Sequence, residues 1–203
     1  MKDSRLYRHG HRELQREFQS QPIADRLEEV NLRTEFTEKD RQFIESAPFF
    51  FLATADATGQ PNVSHKGGLP GFVRVVGPAE LAYPDYDGNG MFMSLGNVLE
   101  NPKVGMLFID FEHPTRLVVR GRATVRRDDP LLEHTVGAQL IVRVAAEVIY
   151  PNCPRYIHRM QLLEVSEYAP RPGKAAVEPA WKSFPQFRDV LHPRQPTASG
   201  EEE

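Results

Sequence analysis

The chain has 203 residues, with 25 Lys and Arg against 28 Asp and Glu, 40% hydrophobic residues and one cysteine, Cys153. A protein of this mass folds to roughly 10,000 Å² from roughly 33,000 Å² of unfolded surface, which is enough for one real core with residues left over for terminal arms. The formal charge of -3 gives no general drive onto nucleic acid, a lone cysteine excludes a disulfide framework, and with neither an apolar run of about 18 residues nor a secretory core, a cytoplasmic protein without membrane contact is expected.

Residues 1–47 read as a charged helical arm. His11–Phe18 forms a short helix, Pro22 ends it, and Ile23–Val30 forms a second. A third, Thr37–Ala47, opens on Thr37 as N-cap, with Asp40 where a capping box carries Glu. Phe36, Phe43 and Ile44 give that helix one apolar side. Up to Ser46 the arm balances nine basic against ten acidic residues, so it is not a basic nucleic-acid tail. It is expected to pack as a helical lid on the domain or on a twin.

From Pro48 the pattern changes. The run PFFFLATA is too short for a buried helix and meets the turn signal Asp56-Ala-Thr-Gly59. Short runs follow at 61–66, 72–76 and 80–83, separated by Gly67-Gly68, Pro70-Gly71 and Gly77-Pro78, as closely spaced antiparallel strands would be. Met91–Asn101 reads as a helix stopped by Pro102. Val104–Asp110, Arg116–Arg126 and Gln139–Tyr150 read as longer strands, with a short helix at Pro130–Thr135 and a bulge or bend at Gly121. The expected division is a barrel domain over 48–168 and a C-terminal extension over 169–203, partly disordered from His192. Six or more strands with short helices and no βαβ alternation make this a mainly β protein, a small closed barrel. Such a barrel fills its own interior, so a ligand must bind outside it or between subunits.

Two segments carry candidate chemistry. In Val63-Ser-His-Lys-Gly-Gly-Leu-Pro-Gly71, strand alternation puts the Ser64 hydroxyl and the Lys66 ammonium on one face. The glycines that follow allow close backbone approach, a combination that suits a phosphate. A glycine-rich hairpin with an incidental lysine would look the same. In Tyr83-Pro-Asp-Tyr-Asp-Gly-Asn-Gly90, a loop leads into a helix start that offers unpaired N–H groups, with Asn89, Ser94 and Asn97 around it. An ordinary loop before a helix is the plainer alternative.

Taken together, FLATADATGQPNVSHKGGLPGFVRV, SLGNVLENPKVGMLF and LVVRGRATV resemble the pyridoxamine 5'-phosphate oxidase-like family of FMN-binding split barrels. The similarity continues through VIYPNCPRYI. It implies a six-stranded antiparallel split β-barrel and a two-fold homodimer with FMN in the grooves between subunits. It also implies an FMN-dependent oxidoreductase, moving hydride or electrons between the flavin and a small-molecule substrate or reductant. By the same resemblance, Ser64 and Lys66 face the flavin phosphate, Tyr83 and Asp85 lie beside the ring and ribityl chain, and Asn89, Ser94 and Asn97 close the phosphate end. His65 points to the other face of its strand and enters only as a backbone donor. Arg155, in the Asn152-Cys-Pro-Arg corner, is the candidate lent across the dimer.

Two departures set limits. The tail HPRQPTASGEEE lacks the Arg-rich substrate motif of true pyridoxamine phosphate oxidases, and Gly90-Met91 stands where relatives commonly carry an arginine. Pyridoxamine phosphate is therefore not the expected substrate. No catalytic acid or base is assigned, because a flavin carries the chemistry itself. A flavin-binding or storage protein without turnover, and a haem-binding split barrel, are the alternative functions.

The remaining residues read more plainly. Cys153 lacks a recognisable Cys-His-Asn order and reads as inert. His9-Gly-His11 has no further ligand at metal spacing, so no metal is expected. Arg120, Arg122 and Arg126 form a solvated or salt-bridged stripe, with contact to an anionic second substrate as the alternative. Trp181, Phe184 and Phe187 dock a C-terminal segment on the barrel or, in the sharper reading, stack on the partner's flavin.

Overall fold

The computed structural model describes residues 4–187 and 189–191, and the tail expected to be disordered lies outside them. In chain order the elements are α1 (His9–Glu17), α2 (Gln21–Asn31), α3 (Glu38–Ser46), β1 (Phe49–Ala55), β2 (Pro61–Gly67), β3 (Arg74–Gly77) and β4 (Glu80–Tyr86). Then come α4 (Met93–Glu100), β5 (Lys103–Asp110), β6 (Thr115–Arg126), a 3-10 turn (Pro130–His134) and β7 (Ala138–Pro151). Pro22 lies in the first turn of α2, where its missing N–H leaves no helical bond unmade.

The strands form one antiparallel sheet in the order β2-β1-β5-β6-β7-β4-β3. That is seven strands, against six in the barrel that the resemblance implied; each of the short runs at 72–76 and 80–83 forms a strand of its own. β1 and β4 stand second and sixth in the order, yet Phe50 of β1 meets Tyr83 of β4 edge to face with ring centroids 5.0 Å apart. Phe50 also packs on Phe72 and Phe108. Contact between such distant strands requires the sheet to curl until its ends face each other. The fold is therefore a split barrel, with Phe50, Leu52, Leu81, Tyr83, Met106, Phe108, Val119 and Val142 in its core.

Gly121 is the bulge. The β6–β7 register shifts between Arg120 and Gly121, and a Cβ at Gly121 would overlap the Ala145 carbonyl oxygen.

Of the arm, α3 packs against the barrel. Ile44 and Ala47 are buried in the core. Phe36 N donates to Pro78 O (2.7 Å) and Gly71 N to Glu45 O (2.6 Å), while Val75 N donates to Glu45 Oε1 (3.1 Å), so the helix seals the β3 edge. The cap forms as the spacing predicts, with Asp40 N donating to Thr37 Oγ1 and Thr37 N to Asp40 Oδ2. Arg33 pairs with Asp40 at 2.7 Å and bridges in backbone register to Ile149 of β7. α1 and α2 stand further off, and Ala24 is their one buried residue.

After β7 the described chain has no strand, only 3-10 turns at Ala180–Ser183 and Pro185–Phe187. No helix among the described residues is long and apolar enough to cross a membrane.

Candidate functional site

The site lies where the barrel is split. β1 and β2 pair with Phe50 opposite Lys66, Leu52 opposite Ser64 and Thr54 opposite Asn62. Directly opposed residues share a face, so Asn62, Ser64 and Lys66 point the same way as three buried β1 side chains. β2 is an edge strand, however, and all three remain half-buried instead of being covered. His65 falls on the outer face, its ring stacked on Phe49 at 5.2 Å.

α4 is tied to this face by two hydrogen bonds. Asn62 Nδ2 donates to Ser94 Oγ (3.3 Å), and Asn97 Nδ2 donates to Thr54 Oγ1 of β1 (3.1 Å). The helix start is thereby held beside Ser64, one alternation step or roughly 7 Å along the strand from Asn62. No side chain caps α4; its N-cap is Phe92 in the left-handed region at φ 48°, a strained position for a bulky residue. Its first-turn amides therefore have no side-chain cap. In the loop before it, Asn89 is exposed and its Oδ1 accepts from Met91 N (3.1 Å).

β4 forms the other wall. Asp85 Oδ2 accepts from Gln139 Nε2 of β7 at 2.8 Å. Burial pushes the Lys66 ammonium below its usual pKa, and the Asp85 carboxylate opposes that shift, so β2 and β4 meet electrostatically across the split. The Lys66 ammonium makes no hydrogen bond or salt bridge among the described residues.

Tyr83 departs from the expectation. Its side chain is 1% exposed in the core, so its ring cannot line the groove as a contact surface. Only its hydroxyl, buried and without a hydrogen-bond partner among the described residues, could reach a bound group. Arg155 is exposed beyond the end of β7. Among the described residues, no hydrogen bond or ion pair joins Arg155 to the other candidate residues. Asn62, Thr54 and Gln139 were not anticipated; Asn62 was open to the same alternation that singled out Ser64 and Lys66.

The family model for pyridoxamine 5'-phosphate oxidase matches residues 36–167. The chain belongs to this family. No curated protein sequence matches it. Among solved structures, it is similar to a pyridoxamine 5'-phosphate oxidase candidate from Lactobacillus delbrueckii, with 23% identity, 60% of this chain and 99% of that one covered, and a TM-score of 0.49. It is also similar to HupZ from Group A Streptococcus (18% identity, 57% and 93% covered, TM-score 0.46). HutZ, the heme storage protein of Vibrio cholerae, gives 17% identity, 59% and 92% covered, and a TM-score of 0.39. Likeness at this level concerns the fold alone.

Proposed function

We propose that the protein is an FMN-dependent oxidoreductase that works as a homodimer on a small substrate other than pyridoxamine phosphate. The observation that carries this reading is the Asn62–Ser94 hydrogen bond, which sets the uncapped start of α4 against the Ser64 and Lys66 face. A half-buried ammonium, a hydroxyl and free helix amides in one groove fit a phosphate dianion.

When bound, FMN would supply the hydride or electron chemistry. Lys66, Ser64 and the first amides of α4 would hold its phosphate, with Asn89 at the loop end. Asp85, with one oxygen fixed by Gln139, would accept a hydroxyl of the ribityl chain. Ser94 and Asn97 would act by fixing α4, since both are bonded to strand residues. The unpaired Tyr83 hydroxyl fits a polar group reaching in from the groove, because a buried hydroxyl without a partner is costly.

A second subunit fits one further feature. Apolar side chains crowd the site rim, where Met91, Phe92 and Met93 are all more than half exposed. Covering them would exclude water from the flavin and could bring in Arg155 from the partner.

The test is the absorbance spectrum of the purified protein, followed by anaerobic titration with NADH, NADPH or a reduced deazaflavin. A flavin spectrum that bleaches with one donor supports the reading. Failure to take up added FMN overturns it, a Soret band in its place favours haem binding, and bound flavin that no donor reduces favours storage.

A further inference from the structure

The chain after β7 is fastened to the barrel at successive points, and one of them is on the loop that leads into α4. Near its start, Met160 N donates to Phe111 O (3.1 Å) and Leu162 N to Glu112 Oε1 (3.3 Å). Further on, Pro170 packs where Gly137 has no side chain; a Cβ there would lie 2.7 Å from Pro170 Cγ. The 3-10 turn Ala180–Ser183 then delivers Lys182, whose Nζ pairs with Asp87 Oδ2 at 2.9 Å. The Lys182 side chain is 12% exposed and that of Asp87 37%, so the lysine is largely covered while the carboxylate faces solvent.

Asp87 opens the loop that joins β4 to α4. Gly88, Asn89 and Gly90 follow it, all exposed. The bond from Met91 N to Asn89 Oδ1 is local, whereas Lys182 reaches the loop from 95 residues away in sequence.

We propose that Lys182 is a positioning residue of the cofactor site, holding through Asp87 the loop that carries Asn89 into α4 and so limiting the rate at which bound phosphate leaves. This role rests on the FMN reading above. Lys182 touches no part of the cofactor; it acts by keeping the loop in place.

Trp181 is the chain's one tryptophan and lies beside Lys182, so its emission reports whether the segment is docked. The experiment follows Trp181 emission and the rate of FMN release, read by flavin fluorescence after dilution, in full-length variants. Lys182→Met is expected to shift the emission to the red and to speed release about five-fold, the weight of one such ion pair. Lys182→Arg should keep both near wild type, and reversing the pair with Asp87→Lys and Lys182→Asp should recover most of the loss. A red shift with unchanged release overturns the role, as does equal loss in the Met and Arg variants, which would mean packing and not charge. Wild-type protein that takes up no FMN overturns this role together with the cofactor reading. Wild type that binds FMN, beside a Lys182→Met variant releasing it at the wild-type rate, overturns this role alone.

Discussion

Replacing Lys66 with Met is expected to weaken FMN binding by roughly ten- to 150-fold. Methionine keeps the stem that packs along β2 and removes the ammonium alone. A charge-assisted hydrogen bond to phosphate contributes about 1.5–3 kcal/mol, and about 1.4 kcal/mol is ten-fold in Kd. Lys66 is half-buried and its pKa is lowered by burial, with Asp85 acting the other way, so the charge is held for an anion at a cost that an anion would relieve. The assay is quenching of flavin fluorescence, with riboflavin titrated in parallel and Lys103→Met, on the exposed outer face of β5, as the control. Riboflavin, which has no phosphate, should bind both proteins about equally. The pH dependence has a definite sign. Below the depressed Lys66 pKa the ammonium is present and binding is at full strength. As pH rises through that value the free protein loses the proton that binding must restore, so affinity falls, and it should not fall in Lys66→Met. In the flavin-free protein the same depression makes stability rise over that range, because the unfolded chain still holds its proton. If FMN and riboflavin weaken together, or neither weakens, Lys66 does not hold the phosphate.

Three further outcomes follow from the fold. Gly121→Ala should cost about 2 kcal/mol or more in urea unfolding, because its Cβ meets the Ala145 carbonyl oxygen, whereas Gly105→Ala, whose Cβ would sit 3.8 Å from that of Ala53, should be nearly neutral. Asp129→Asn should cost about 2–3 kcal/mol, since it strips the buried partner from Arg143; Arg143 holds the Asp129 carboxyl below the usual range, so this stability is present above about pH 4 and fades as pH falls through the depressed value. Tyr83→Phe should leave the flavin-free protein as stable or about 1 kcal/mol more stable by thermal unfolding, because the hydroxyl it removes has no partner among the described residues; a clear loss would mean that hydroxyl is satisfied.

Much of the fold was legible because its cues are local. Thr37 and Asp40 sit at cap spacing, Gly121 interrupts a strand, and glycine and proline pairs mark the hairpins. The helix α4 begins two residues later than its sequence suggests because Phe92 is left-handed, a backbone state that no side-chain pattern announces for phenylalanine. What fixes α3 on the barrel was not legible: Glu45 and Arg41 bond the backbone of β3, a pairing between residues some thirty apart in sequence.

The site shows where alternation stops being enough. Leu81, Tyr83 and Asp85 share one face of β4 by the same rule that groups Asn62, Ser64 and Lys66 on β2. That face is core at Leu81 and Tyr83, which are 0% and 1% exposed, and becomes groove by Asp85. The point of change is fixed by how far the sheet curls, and a two-residue period carries no information about curvature. On β2 the chemistry itself settles the matter. An amide, a hydroxyl and an ammonium on the inward face of an edge strand cannot be closed over by hydrophobic side chains without losing their hydration. The barrel therefore does not seal there, and the Ser64 and Lys66 side chains stay half-buried, open to water or to a bound group that brings acceptors.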